Sequence, residues 1–231
     1  LNLFTVNWRF NQAMGGASEP FPLSETVAFL KQQPGTFRIS SAGLLPGGSS
    51  AGAVYELEDI TGNTPLRLDT FQQFEDRVQS WRRWQLLNVG YVLSGRDLEG
   101  PGLESVHQEE GVKVYRVGDP LGRAWLVHRT AAAAETETFD HLNGADFDPR
   151  AVAILPPGSE GLLPSNSDGF GGSVQVLESV PGRLALQVEA SAAGLLVVSQ
   201  VFYPGWRAEV DGRQVPIHLV DQLLQGIRVE A

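Results

Sequence analysis

Tight-turn dipeptides in the last third of the chain separate short runs of alternating apolar and polar residues. Pro181-Gly182 separates the runs 174–176 and 184–188, in which apolar residues occupy every second position. Asp211-Gly212 is a stronger signal of the same kind, because a glycine in such a pair readily adopts the backbone conformation of a hairpin turn. A period of two places successive side chains on opposite faces of a strand. These segments therefore predict antiparallel strands joined by hairpins.

A longer apolar run lies between these hairpins. Residues 194–203 are apolar at most positions, which is typical of a strand that is buried on both faces. The 26 glycines and 14 prolines of the chain also favour an architecture with many turns. We therefore predict an antiparallel β-sandwich over residues 171–231.

The first half of the chain mixes helical and strand patterns. Ser24 is a suitable N-cap for a helix that Pro34-Gly35 ends. One longer helix, with Trp81 on its buried face, is predicted by five residues at helical spacing: Phe71, Phe74, Val78, Trp81 and Gln85. Strands are predicted at 89–93, 112–117 and 124–127. The predicted fold class is α+β, with an N-terminal mixed α/β region followed by the C-terminal β-sandwich.

Domain boundaries are predicted from a change of composition between Ala131 and Arg150. Four consecutive alanines are followed there by a segment that contains Asp, Gly and Pro. Such a composition is typical of a connection. We therefore predict a mixed α/β domain over residues 1–135, a connection over 136–170 and the β-sandwich domain over 171–231.

Charge and cysteine content exclude several classes of function. The formal net charge is −10, with 27 acidic and 17 basic residues, and no basic stripe interrupts this balance. Such a surface repels phosphate backbones, so nucleic acid is not expected as a partner. The chain has no cysteine, which excludes disulfides, thiolate metal sites and cysteine nucleophiles. No apolar stretch reaches the roughly 18 residues that span a bilayer.

The sequence assembles no recognisable catalytic or metal-binding motif. The four histidines are scattered, no Gly-x-Ser-x-Gly elbow occurs, and the glycine-rich stretch 46–52 lacks the Lys-Ser/Thr ending of a P-loop. Asp146 and Asp148 offer oxygen ligands of the kind that calcium prefers, but the twelve-residue calcium loop is missing and turn roles are favoured. We predict no catalytic residue, no metal site and no cofactor for this chain.

Aromatic side chains are the remaining candidates for a binding role, because sugar rings stack on exposed aromatic faces. Tyr203 and Trp206 flank Pro204-Gly205 at the end of a predicted strand. Trp84 belongs to the segment 81–84, whose two tryptophans and two arginines also suit a membrane interface. The weak candidates for carbohydrate binding are therefore Tyr203, Trp206 and Trp84, and packing in the core is the alternative for each.

Several stretches follow the order typical of one protein family: 29–38, 55–62, 86–94, 114–116, 123–127, 194–199, 203–208 and 210–212. On these stretches the chain resembles the C-terminal region of the YfhO family of bacterial membrane proteins. Members of that family look like C-type glycosyltransferases that use lipid-linked sugars. The small residues at 51–54 depart from the pattern expected before Tyr55.

The resemblance implies a place in the cell and a partner. A multi-helix membrane portion is expected to precede Leu1, and this region is expected on the extracytoplasmic face of the bacterial cell membrane, with that portion as its partner. The acidic catalytic residues of such transferases are expected in the membrane portion, so none is carried over to this chain. Family members continue beyond the position of Ala231, so the last strand of the sandwich is expected to be missing.

Two functions follow as hypotheses. The first is an accessory domain of a glycosyltransferase-like membrane protein that contacts a glycan or a lipid-linked acceptor, which predicts weak carbohydrate binding through exposed aromatic rings. The alternative is a structural or protein-interaction module with no ligand of its own, which predicts an apolar patch and no concave polar pocket. A free-standing hydrolase ranks last, because the sequence assembles no catalytic constellation.

Overall fold

The structure is a computed structural model that describes residues 21–62, 67–159, 161–162 and 171–231. In these ranges the chain forms five helices: α1 (Glu25–Lys31), α2 (Ala51–Val54), α3 (Asp69–Arg77), α4 (Ser80–Leu86) and α5 (Glu135–Asn143). The first seven strands are β1 (Arg38–Ser40), β2 (Val89–Ser94), β3 (Leu103–Glu109), β4 (Val112–Val117), β5 (Ala124–Val127), β6 (Arg129–Ala132) and β7 (Val152–Leu155). The other seven are β8 (Gly172–Val180), β9 (Arg183–Ala190), β10 (Gly194–Val201), β11 (Ala208–Val210), β12 (Arg213–Val215), β13 (His218–Val220) and β14 (Leu224–Val229).

The fold is α+β, as the sequence predicts, because short helices accompany several small sheets, most of them antiparallel. The predicted hairpins at Pro181-Gly182 and Asp211-Gly212 join β8 to β9 and β11 to β12. Within the described ranges, no helix is both long enough and apolar enough to cross a bilayer.

The first sheet has the strand order β1-β2-β4-β3, with β1 and β2 parallel and the other neighbours antiparallel. Helix α1 packs on one face of it through Val27 and Leu30, which are fully buried. The predicted cap forms, since Ser24 Oγ accepts a hydrogen bond from the Val27 amide at 3.2 Å. The Glu109 carboxylate accepts further bonds from the first amides of α1, including that of Thr26 at 2.7 Å. Both caps satisfy amides that have no partner within the helix.

The second sheet has the order β13-β14-β10-β5 and is antiparallel throughout. Strand β5 lies before the predicted boundary at residue 135 but pairs with β10, so that Leu196 lies opposite Leu126. The predicted boundary would therefore separate β5 from the sheet to which it belongs.

Each face of the second sheet is covered by a different part of the chain. One face, which includes Leu195 and Val197, belongs to the main core together with side chains from α3, α4, α5 and β7. The opposite face, which includes Leu196 and Ile227, packs against apolar side chains of the β8–β9 hairpin. The hairpin lies close, because a Cβ atom added at Gly172 would approach Leu126 Cδ2 to 2.6 Å.

The segment predicted as a connection contains regular structure that belongs to the core. Helix α5 buries Phe139 and Leu142, and β7 buries Ile154 and Leu155. Strand β7, which follows α5, pairs in parallel with β6, which precedes α5. Residues 160 and 163–170 of this segment lie outside the described residues. The alanines at 131–134 end β6 and lead to the first residue of α5.

The single helix predicted across residues 71–85 is wrong, because the chain forms two helices with a break between them. Val78 has extended backbone angles, with φ −94° and ψ 131°. The side-chain amide of Asn143 bridges the break, accepting from the Gln79 amide at 2.8 Å and donating to the Arg77 carbonyl at 2.8 Å. The helical phase is lost there, so Trp81 is 42% exposed instead of buried.

Candidate functional site

The loop after β10 forms a small aromatic cleft. Gly205 has a φ of +110°, which permits the chain reversal there, and the Trp206 amide donates to the Tyr203 carbonyl at 3.5 Å. Tyr203 is 53% exposed, and Trp206 is half-buried. Both rings line a cleft of about 270 Å³, beside the exposed polar side chains of Arg207 and Gln214. The predicted bend at Pro204-Gly205 therefore presents two aromatic rings together.

Trp84, the third predicted aromatic candidate, is elsewhere in the molecule. It lies on α4 and packs against the main core. It lines neither the aromatic cleft nor the larger cleft described next. The structure thus brings Tyr203 and Trp206 together and leaves Trp84 apart from them.

A much larger cleft, with a volume of about 1860 Å³, is lined by the β8–β9 hairpin, the second sheet and the segment 206–218. Its apolar walls include Leu184 and Leu186 from β9, and Leu196 and Ile227 from the sheet. Trp206 and Arg207 line both clefts, so the two concave surfaces are neighbours. We call this surface the large cleft.

A cluster of two arginines and one glutamate stands at the large cleft. Glu58 Oε2 accepts hydrogen bonds from Arg38 Nε at 3.1 Å and from Arg123 Nη1 at 2.9 Å. The arginine side chains are 12% and 7% exposed, respectively, whereas that of Glu58 is 46% exposed. Glu58 and Arg123 line the cleft. One carboxylate is therefore shared by two buried cations, and the three residues carry a formal charge of +1.

Arg38 is well supplied with hydrogen-bond acceptors. Besides Glu58, its guanidinium donates to the Leu87 carbonyl at 3.0 Å, to Ser199 Oγ at 2.9 Å and to the Ser199 carbonyl at 2.8 Å. Ser199 Oγ in turn donates to the Leu86 carbonyl at the end of α4. Burial, and next the positive charge of Arg123, lower the pKa of Arg38 to about 10. The side chain is still protonated near neutral pH and joins α4 to β10.

Arg123 has fewer partners than its burial requires. Across the described residues it donates one side-chain hydrogen bond, and its buried Nε has no partner. Burial lowers the pKa of Arg123, and Glu58 opposes this shift. His218, also on the large cleft, has a buried Nε2 without a partner in the same ranges, and burial lowers its pKa. Buried polar atoms usually find partners, so such groups at a cleft are candidate ligand contacts.

The sequence did not identify this cluster. Arg38, Glu58, Arg123 and Ser199 are far apart along the chain, so no local spacing relates them. Glu58 is half-exposed and pairs with both buried arginines. Its neighbour Asp59 has a turn role, as its Oδ1 accepts from the Thr61 amide at 2.9 Å.

The aspartates considered for calcium have turn geometry where the structure gives a contact. Asp148 Oδ1 accepts a hydrogen bond from the Arg150 amide at 2.9 Å. In the part of the chain that the structure describes, no three His, Asp or Glu side chains are grouped to hold a metal ion.

Comparison of the chain with protein-family models, curated proteins and solved structures finds no match. The two clefts are therefore the features of the described chain that bear on its function.

Proposed function

We propose that this chain is an extracytoplasmic accessory domain of a multi-spanning, glycosyltransferase-like membrane protein of the YfhO kind, and that it contacts a glycan or lipid-linked acceptor. The observation that carries the proposal is the aromatic cleft, in which exposed Tyr203 and half-buried Trp206 lie beside polar side chains. In this proposal the fragment itself is non-catalytic, and the chemistry belongs to the membrane portion.

The chemistry of the aromatic cleft suits a sugar ring. One face of a sugar presents C–H groups that pack on an indole or phenol ring, while its hydroxyls need hydrogen-bond partners. Arg207 offers donors, and Gln214 offers both a donor and an acceptor. The volume of about 270 Å³ lies just below the range of about 300 to 1000 Å³ that is usual for ligand pockets. A single ring held weakly is the ligand size that fits.

The architecture proposed with this function is the β-sandwich predicted from sequence. We infer that the β8–β9 hairpin and the second sheet are its two layers, with Leu196 and Ile227 meeting Leu186 between them. Both layers line the large cleft, and Trp206 stands where it meets the aromatic cleft. A ligand longer than one sugar could therefore extend from the rings into the large cleft.

Substitution of the two rings tests the proposal. A glycan array followed by calorimetry on the best ligand should give weak binding, and Trp206→Ala should weaken it roughly fivefold, since a stacked ring contributes about 1 kcal/mol. Tyr203→Ala should have a similar or smaller effect. Trp81→Ala is the matched control, because Trp81 is also exposed but lines neither cleft. A flat array, or equal losses in the Trp206 and Trp81 variants, would contradict the proposal.

A second candidate function is a protein-interaction module without a ligand. Leu177 and Val180 on β8 are 59% and 48% exposed, and Phe202 at the end of β10 is 37% exposed. In this alternative the partner is the membrane portion of the parent chain. Leu177→Ser would then weaken co-purification with that portion, while the glycan array stays flat.

A further inference from the structure

We propose that Arg123 binds an oxyanion, the carboxylate or phosphate group of a ligand, at the large cleft beside Glu58. This site goes beyond the proposed glycan contact, since it uses a different residue and does not depend on Tyr203 or Trp206. The ligand group that reaches Arg123 in this proposal carries a negative charge.

Arg123 has more hydrogen-bond donors than partners in the described residues. A guanidinium has five N–H donors and no acceptor, and removing it from water is costly unless those donors find acceptors. The side chain of Arg123 is 93% buried, yet within the described residues it donates one hydrogen bond, to Glu58. Its Nε is buried without a partner, and the residue lines the cleft, so the exposed part of the side chain opens there.

The cluster of Arg38, Glu58 and Arg123 carries a net positive charge. Glu58 is the one carboxylate paired with two buried guanidiniums, and Arg38 already uses its other donors on Leu87 and Ser199. Within the described residues the two guanidiniums therefore share one anion, and of the two Arg123 is the one that lines the cleft. A carboxylate or phosphate matches the planar fork of N–H groups that a guanidinium offers.

The large cleft differs in charge balance from the chain as a whole. The chain carries a formal charge of −10, with 27 acidic and 17 basic residues. Among the described residues that line the large cleft, by contrast, five arginines face five carboxylates. The cleft is thus less negative than the chain as a whole, and an anion meets less repulsion there. Low dielectric around a buried guanidinium strengthens its attraction for an anion further.

Nitrogen-15 NMR of arginine side chains tests the site directly. The probes are inorganic phosphate and acetate, each titrated into the intact chain at constant ionic strength with chloride as the reference salt. The Arg123 Nε–H signal should shift and saturate with at least one probe. Arg83 is the internal control, because its Nε is also buried without a partner in the described ranges but it lines neither cleft. Saturation with phosphate indicates a phosphate-bearing ligand, and saturation with acetate indicates a carboxylate.

Two variants complete the test. Arg123→Gln should abolish saturation, and Glu58→Gln should tighten it roughly threefold to tenfold, because the competing carboxylate is removed while the shape is kept. The Glu58 variant decides the matter if the Arg123 variant does not fold. Absence of saturation with both probes, an equal response at Arg83, or unchanged or weaker affinity in Glu58→Gln would overturn the proposal. A flat glycan array beside a saturable Arg123 signal would instead remove the glycan proposal and leave this one.

Discussion

Two arginines in this molecule are almost equally buried but are bonded very differently. Arg82, on α4, is 2% exposed, and Arg123, at the large cleft, is 8% exposed. Arg82 donates to the carbonyls of Leu142, Gly144 and Phe147 and to Gln85 Oε1, at 2.6 to 3.2 Å. Arg123 donates to Glu58 alone among the described residues.

The difference separates a structural role from a binding role. Leu142 and Gly144 lie at the C-terminal end of α5, where carbonyls lack partners within the helix and a cation is favourable. Arg82 therefore satisfies a helix end and joins α4 to α5. In the described part of the chain the donors of Arg123 satisfy no such set of backbone groups. Burial alone does not distinguish the two roles, whereas the number of satisfied donors does.

The largest expected effect is the loss of the Arg82 network. Arg82→Met should lower the free energy of unfolding by about 3 to 5 kcal/mol, because carbonyls around the end of α5 lose their donor. Arg83→Met is the control on the same helix: Arg83 is half-buried and donates to the Glu75 carbonyl and Ser80 Oγ. That variant should lose about 1 kcal/mol. Urea unfolding measures both, and equal losses would contradict the structural role assigned to Arg82.

The free energy of unfolding should also depend on pH, because Asp221 is a fully buried carboxyl near Arg82. Burial raises the pKa of Asp221 from 3.8 to about 7, against the opposing effects of the Ile154 amide and Arg82. Between those values the folded state holds the proton that the unfolded state has lost. The free energy of unfolding should therefore fall as pH rises from about 4 to about 7, with a slope set by proton linkage.

Asp221→Asn isolates this contribution. The asparagine keeps an acceptor for the Ile154 amide, which lies 2.9 Å from Asp221 Oδ1, but it does not titrate. His218 acts in the opposite direction, because burial lowers its pKa and stability then rises with pH up to about 6.5. The contribution of His218 is the same in wild type and variant, so it cancels when their free energies of unfolding are subtracted. A difference that does not change between pH 4 and 7 would contradict the raised pKa of Asp221.

The smallest expected effect on stability is that of Arg123→Met. Its single ion pair goes to a half-exposed carboxylate, and an apolar side chain of similar length removes the cost of burying an underpaired charge. The free energy of unfolding should change by about 1 kcal/mol or less. A loss as large as that of Arg82→Met in the same urea experiment would show that Arg123 is structural, and the comparison would fail.

Local signals predicted the elements whose cause is local. The Ser24 cap, the strands at 112–117 and 124–127, and the hairpins at Pro181-Gly182 and Asp211-Gly212 each depend on a few adjacent residues, and all of them form. The break at Val78 depends on Asn143, which lies far along the chain, so periodicity extended one helix through it. The same kind of distant pairing places β5 in the second sheet, across the predicted boundary.

The residues of the candidate sites also differ in whether they are close in sequence or meet only through the tertiary fold. Tyr203 and Trp206 are three residues apart around a glycine turn, so their joint presentation could be predicted from the sequence. Arg38, Glu58 and Arg123 meet only through the tertiary fold, and no spacing between them carries a signal. Trp84 was a candidate on composition alone, and it packs against the core. Charge pairs formed across the fold are therefore what the structure adds to the sequence.

The most direct test of the account measures phosphate affinity and stability together in Arg123→Met and Arg83→Met. Both arginines have a buried, unpartnered Nε in the described residues, but of the two only Arg123 lines the large cleft. The account predicts that Arg123→Met loses saturable phosphate binding while its free energy of unfolding stays within about 1 kcal/mol of wild type, and that Arg83→Met binds as wild type does. Wild-type affinity in Arg123→Met, or an equal loss in Arg83→Met, would contradict it.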